Sequence, residues 1–441
     1  MNDQVRFTAI AACCCIAIVP CADAASVQEY TLYAEASYAA SPATGTEVQQ
    51  ALAVEAEATV SMSESFQWRF GARASYDFAQ RLRPNRDDDR FFQYANGINQ
   101  RPGIGDSGDI ELRELYLEWH RDARRVRLGR QQAVWSSLDD ISMFVLNPSD
   151  FHEFVLSGET ERQRPQWGLY LDVPAAGWRL ESAVFLDNTV HDVPDPGSWF
   201  EFTAPQFRFG APPEQATSAT EFDTELPDPL RDATYALRGS RSFGNTKIVF
   251  AGLTGNEYEA VAEPRPGATG PVLLRKFPRR HLAQIAMETG LGSAVIRGEL
   301  VMQFNKVLNV REEGTLSMAE VDVLALGFGV DLNLPRDVFM NVQILLDRVQ
   351  DAPETLIKPQ RNDLLTVTLQ RSFLYDSLIA KWRWYRDLEF RDSLSQVSIS
   401  YAPSDATTIE LLGAWFTGSP LGRFGQFAER DLVRLTLGYS F

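Results

Sequence analysis

The stretch Val54-Glu55-Ala56-Glu57-Ala58-Thr59-Val60-Ser61-Met62, interrupted at Ser63-Glu64 and resumed as Phe66-Gln67-Trp68-Arg69-Phe70-Gly71-Ala72-Arg73-Ala74-Ser75-Tyr76-Asp77-Phe78, decides the fold class. Apolar and polar side chains alternate with a period of two, so each segment is a strand with one apolar and one polar face. Two such runs separated by a tight turn make a hairpin. The polar face carries charge in mid-strand, which suits a face turned to water along its whole length.

The unit recurs along the chain. Tyr30, Leu32, Ala34, Ala36 and Tyr38 share one parity against Thr31, Glu35 and Ser37. Strand pairs are predicted at 110–119 with 125–134, 167–173 with 178–187, and 233–243 with 246–257. Further turns fall at Gly290-Leu291-Gly292-Ser293, Pro335-Arg336-Asp337, Leu374-Tyr375-Asp376 and Pro403-Ser404-Asp405, and a last strand at 432–441. The total is about 18 strands of a length that crosses a bilayer at a tilt, roughly 9–11 residues. Short turns alternate with mostly long links near 80–108, 135–165, 188–232, 257–280, 305–319, 349–361 and 417–429. Short turns on one side and long loops on the other predict an all-β transmembrane antiparallel barrel with periplasmic turns and extracellular loops. A soluble sandwich has no reason to sort its loops in this way, and aromatics are read as gathering at strand ends (Trp119, Trp167, Trp178, Trp199, Trp382, Trp384, Trp415, Tyr439), as an interfacial girdle requires.

The N-terminus has Arg6, an apolar run from Phe7 to Cys21 and the small-residue motif Ala22-Asp23-Ala24. This predicts a signal peptide over 1–24, cleaved after Ala24, with the barrel over 25–441. The run is shorter than the ~20 residues a spanning helix needs, which disfavours a retained anchor. A lipoprotein box at Ile10-Ala11-Ala12-Cys13 leaves too little apolar segment in front of it. All four cysteines (Cys13, Cys14, Cys15, Cys21) lie in the leader, which excludes disulfide, thiolate-metal and thiol-nucleophile chemistry from the remainder. The net charge of −17 becomes −16 once Asp3, Arg6 and Asp23 leave, and such acidity argues against a nucleic-acid partner.

The polar parity nominates lumen-lining residues: Glu57, Arg69, Arg73, Glu111, Arg113, Arg127, Arg297, Glu299, Lys381 and Arg383. Carboxylates and cations on this parity are near balance, so most of the net charge falls in loops such as Arg86-Asp87-Asp88-Asp89 and Glu221-Phe222-Asp223-Thr224-Glu225. The segment near 135–165 is too apolar for a free external loop and is expected to fold inward and narrow the barrel. Arg130, Gln131, Asp139, Asp140, Asn147 and Asp150 are its candidate functional residues. Arg130 shares parity with Leu128 and would face lipid in a regular strand; either a bulge at Gly129 turns it inward or it reaches the aqueous rim. Asp139-Asp140 without further spaced oxygen ligands is a weak cation site, so no metal and no cofactor is expected.

The ending Val433-Arg434-Leu435-Thr436-Leu437-Gly438-Tyr439-Ser440-Phe441 resembles the terminal strand read by the barrel-assembly machinery, which makes Tyr439 and Phe441 the candidate assembly signal. Leu115-Tyr116-Leu117-Glu118-Trp119, Val126-Arg127-Leu128-Gly129-Arg130-Gln131-Gln132 and Asn147-Pro148-Ser149-Asp150 together resemble the alginate-export-like and DUF1302-type outer-membrane proteins. The resemblance is clearest over 112–150 and 413–441, and it implies an export or diffusion barrel of about 18 strands in the bacterial outer membrane. Val134-Trp135-Ser136-Ser137 departs from that family's pattern.

Three functions are compatible with these readings. The first is a porin-like channel or exporter passing polar solutes. The second is the outer-membrane component of an envelope lipid or polysaccharide export system with periplasmic or inner-membrane partners. The third is a rim hydrolase, disfavoured because His152 has Ser149, Asp150 and Glu153 only as sequence neighbours and no nucleophile-elbow pattern surrounds them. Outer-membrane lipids and lipopolysaccharide are the expected surroundings in every case.

Overall fold

A computed structural model describes residues 26–84, 94–139, 141–213, 222–266 and 271–441. The leader over 1–24, Asp140, the loop stretch Arg86-Asp87-Asp88-Asp89 and Glu221 lie outside the described residues. The first strands are β1 (Ser26–Ala40), β2 (Glu47–Ser63), β3 (Phe66–Asp77), the two-residue β4 (Gly103–Ile104), β5 (Gly108–Arg121), β6 (Arg124–Gln131), β7 (Gln166–Ala175) and β8 (Trp178–Phe185). They are followed by β9 (Phe222–Glu225), β10 (Thr234–Phe243), β11 (Thr246–Asn256), β12 (Val261–Pro266), β13 (Pro271–Lys276), β14 (Arg279–Leu291), β15 (Ala294–Glu312) and β16 (Thr315–Leu334). The last are β17 (Val338–Val349), β18 (Leu364–Phe373), β19 (Leu378–Asp387), β20 (Ser393–Ser404), β21 (Thr407–Thr417) and β22 (Leu432–Ser440).

One sheet holds 19 of these strands; without the β4 appendage, 18 staves remain. Each staff pairs antiparallel with its neighbours, and β1 closes the ring on β22 from Tyr33↔Ser440 to Ala40↔Val433. The 18-strand barrel predicted from alternation is therefore the fold. Side-chain sorting shows which solvent lies outside. Leu128 and Leu237 are 60 % and 61 % exposed on the outer face, whereas the inward Glu111 and Glu299 are each 3 % exposed. A continuous apolar exterior around a charged interior is stable only with hydrocarbon outside, where every backbone group is satisfied by closure of the ring.

Two long links expected on the outer side are not loops. The chain near 305–319 continues as strand, making β15 19 and β16 20 residues long. The polar pair Asn305-Lys306 breaks the alternation and reads as a loop, but it is a bulge: the register shifts between Gln303 and Lys306, and Asn305 takes φ +51°, a conformation asparagine tolerates. Beyond it the two strands rise past the barrel wall. The region near 257–280 likewise contains the hairpin of β12 and β13, with β9 joined parallel to β13, as a small sheet outside the ring.

Links between staves fold inward and form one apolar core in which Phe144, Phe200 and Phe427 have no exposed surface. Phe154 lies between Phe200, Phe416 and Phe427 at ring-centroid distances of 5.7, 6.4 and 5.3 Å, joining three links to the β21 wall.

Candidate functional site

The segment 132–165 leaves β6 at the end opposite the short turns. Its departure is set by Gly129, whose φ of +137° and position leave no room for a side chain: a Cβ there would lie 2.2 Å from the Leu115 carbonyl oxygen. The register through Gly129 is regular, however, and the bulge lies instead on β5, where Gly71 faces Glu114 and Ala72 faces Leu112. Arg130 stays in the row of Leu115 and Trp167 and is 4 % exposed. It reaches neither the lumen through a Gly129 bulge nor the open rim. Its Nε donates to the Leu112 carbonyl at 2.8 Å, and Nη1 lies 3.4 Å from Asn99 Oδ1, which also accepts from Trp167 Nε1 at 3.1 Å. The link before β5 thus roofs a charge that the sequence alone leaves facing lipid. Gln131, fully buried, donates to the Gly168 carbonyl at 3.1 Å; like Arg130 it belongs to β6, before the inward segment begins.

Asn147 clamps the two limbs of the segment, donating to the Ala133 carbonyl at 2.9 Å and to Gln163 Oε1 at 3.1 Å. The tip lies against the far wall. Leu138, 1 % exposed, occupies a notch where the wall carries glycines; a Cβ at Gly327 or Gly329 would lie 2.3 or 3.0 Å from its methyl groups. Around it, Gln343 Oε1 accepts from the Asp139 amide at 3.0 Å, Glu299 Oε2 accepts from Ser142 Oγ at 3.0 Å, and Arg280 donates to the Val145 carbonyl at 2.9 Å. The return limb meets a third wall, where Gln396 donates to the Val155 carbonyl at 3.1 Å and Arg434 to that of Leu156. The segment spans the lumen.

Most charged residues on the lumenal face are ion-paired, whereas Glu299 accepts from Ser142 Oγ and Gln284 Nε2. Arg69 contacts Glu57 at 2.7 Å and Glu114 at 2.9 Å, with Glu57 diagonal to it across β2 and β3. Arg73 meets Glu35 at 3.0 Å, Arg127 meets Glu118 at 2.6 Å, and Arg113 lies 3.4 Å from Glu111 and donates to the Glu161 carbonyl at 2.8 Å. Arg297 contacts Asp331 at 2.6 Å and Asp139 at 3.3 Å, so it touches the tip of the inward segment. Lys381 and Arg383 are half-buried on β19.

Where the return limb approaches β3 and β5, the links contribute a cluster that the sequence reading did not assemble. Arg101 contacts Asp150 at 2.7 Å and Glu111 at 3.1 Å; Arg83 contacts Asp192 at 2.7 Å; Arg164, 1 % exposed, contacts Asp150 at 3.1 Å and also Asp192. Burial disfavours the Asp150 charge, but Arg101, Arg164 and Arg83 outweigh it and hold the carboxyl well below its usual range. His152 lies with Nδ1 3.0 Å from Asp150 and Nε2 3.3 Å from Asp195. Burial and Arg83 oppose its protonation, yet Asp192, Asp150 and Asp195 prevail and raise it to about 9. Of this cluster, Asp150 and Glu111 are sequence candidates, and His152 enters the sequence reading only as a disfavoured hydrolase residue. Arg83, Arg101, Arg164, Asp192 and Asp195 stand in irregular links without periodicity, and no local pattern announces them.

The cluster has neither hydrolase nor metal geometry. Nδ1 of His152 lies 3.0 Å from both Asp150 and the Arg83 guanidinium, and Nε2 lies 3.3 Å from Asp195, so both ring nitrogens are engaged by charged neighbours and neither is aimed at a serine hydroxyl. Asp150, His152 and Asp192 could bring ligand atoms within 4.8 Å of one another, but three guanidiniums already occupy these carboxylates and would repel a divalent ion. Between the return limb and the wall lies a cavity of about 60 Å³, lined by Arg73, Arg83, Arg101, Asp109, Glu111 and Glu153 among others, room for a couple of waters.

Tyr439 and Phe441 lie on the closing seam. Their rings are 4.7 Å apart edge to face, and the Phe441 amide donates to the Leu32 carbonyl at 2.9 Å.

Among solved structures, the chain is similar to OccAB2 of Acinetobacter baumannii, with a TM-score of 0.51, 10 % identity, and coverage of 95 % of this chain and 98 % of that one. It is also similar to OccAB3 of the same organism, with a TM-score of 0.50, 10 % identity, and coverage of 93 % and 98 %. The fold is that of a porin-type outer-membrane barrel. At this identity the likeness shows architecture alone. No protein-family model and no curated protein matches the chain, so the resemblance to alginate-export-like proteins stays confined to the motifs that carry it.

Proposed function

We propose that this protein is a diffusion channel for small polar solutes, whose passage is set by the inward segment 132–165. The observation that carries this reading is the charged gap between Asp150–Glu153 and the β3–β5 wall. Cations (Arg73, Arg83, Arg101) and carboxylates (Asp109, Glu111, Glu153) line the same narrow space, so a polar solute crossing it exchanges water for paired protein charges. At about 60 Å³ the gap holds water only, so transit requires the segment to shift. The Leu-Gly-Arg-Gln motif shared with alginate-export-like barrels is accounted for by local packing at Gly129 and Arg130, which removes the reason to prefer polymer export.

The test is single-channel recording and liposome swelling of the refolded chain, beside a variant in which residues 136–146 are replaced by a short Gly-Ser link. The native chain should show small conductance and admit only small solutes; the variant should conduct more and admit larger ones. A folded, heat-modifiable variant that neither conducts nor supports swelling overturns the proposal.

A further inference from the structure

Outside the ring, the small sheet and the risen ends of β15 and β16 enclose a second cavity, of about 510 Å³. Its size lies within the range of sites that hold small organic molecules. The buried Val261 and Phe277 form its base, and the half-buried Leu226, Val307 and Met318 its sides. It exists because of the bulge at Asn305: a hairpin ending at the rim would leave β12 and β13 without the strands they lean on.

The charged residues of the lining are one-sided. Glu225, Asp232 and Glu320 border the cavity, and none forms an ion pair among the described residues. Lys276 is the single cation of the lining, and its ammonium contacts Glu263. Arg279 stands nearby but donates to the backbone carbonyls of Asp232 and Ala233 at 2.8 and 3.1 Å, not to the carboxylate. The cavity therefore offers apolar surface from Leu226, Val261, Phe277 and Met318 and a net negative charge at its edge, three carboxylates against Lys276, which lies beside Glu225 in the register of β9 and β13. A neutral apolar molecule gains nothing from that charge, and an organic anion is repelled by it.

We propose that this extracellular cavity is a binding site for small organic cations with an apolar body, such as aryl-alkyl amines. The apolar part lies against Phe277, Leu226 and Met318, and the ammonium is directed at Glu225 and Glu320. The site is independent of the lumen and of the channel reading. It concentrates such amines at the outer face whether or not they pass.

The test uses the full barrel in lipid nanodiscs with three probes of matched size: phenethylammonium, 2-phenylethanol and phenylacetate. Binding is read by calorimetry as the difference from Ala319→Trp, which fills the cavity and cancels uptake by lipid. Phenethylammonium should bind best and phenylacetate least. Ala319→Trp should abolish the difference, and Glu320→Gln should weaken the amine about two- to fivefold, the range of an exposed ion pair, with no effect on the alcohol. Heat-modifiability of each variant verifies its fold. If Ala319→Trp fails to fold, Met318→Trp replaces it as the filled reference. Equal binding of the three probes, binding unchanged by filling, or no binding of the amine overturns the proposal.

Discussion

Replacing Gly327 with valine should release the tip of the inward segment. A Cβ at 327 would lie 2.3 Å from a Leu138 methyl and 2.9 Å from Glu299 Cγ. The wall cannot retreat, because Gly327 is paired on both sides, with Glu299 on β15 and Leu345 on β17. Leu138 must therefore leave a site where it is 1 % exposed. Losing the burial of a leucine side chain costs about 1.5–3 kcal/mol. That shifts the ratio of docked to released tip by roughly ten- to a hundredfold. The hydrogen bonds of Asp139 to Gln343 and Ser142 to Glu299 would be stretched in the same move, so the figure is a lower bound. The described residues contain no cysteine, so Ser142→Cys can be labelled specifically. In the Gly327→Val background, labelling with a bulky thiol reagent should accelerate and single-channel conductance should rise. A folded Gly327→Val barrel with unchanged labelling and unchanged conductance refutes the idea that the glycine notch anchors the segment.

Three further outcomes follow from the same geometry. His152 is raised from its ordinary value near 6.5 to about 9, so its stabilisation of the return limb is fully present below pH 6.5 and is lost as pH climbs through 9; the labelling rate of a Ser149→Cys probe, divided by its thiolate fraction, should still rise from pH 7 to 10, and His152→Gln should remove that residual rise. Deleting Phe441 removes one exposed ring and one amide bond at the seam, so the yield of heat-modifiable barrel in cells should fall while the unfolding temperature of what assembles barely changes; equal yields would count against an assembly role. Because most lumenal charges are paired, ion selectivity should be weak, with a cation preference from the acidic loops that fades as salt shortens their reach to about 8–10 Å; a reversal potential near the ideal value for either ion at high salt would contradict this.

The ring was legible because each staff repeats one rule. Val54 to Met62 and Phe66 to Phe78 already state it, and lipid outside with water inside makes a two-residue period a direct record of which side a residue faces. The same rule failed at Asn305, where a bulge breaks parity without ending the strand. At Arg130 it was right about register and silent about the roof that the link before β5 provides. The inward folding near 135–165 could be expected from its apolar content, but its partners could not. Leu138 meets Gly327 and Gly329, and Asp150 meets Arg101 and Arg164, through contacts that no local pattern encodes.

The reach of the inward segment also orders assembly in time. Staves joined by a short turn can pair as soon as both exist. The segment's own anchors lie far along the chain: Ser142 to Glu299 spans 157 residues, Asp139 to Gln343 spans 204, and Leu156 to Arg434 spans 278. Contacts of such separation form late, since the intervening chain must first be fixed. The last of these anchors, Arg434, stands on the closing strand β22, so the return limb is not fully docked until that strand is in place.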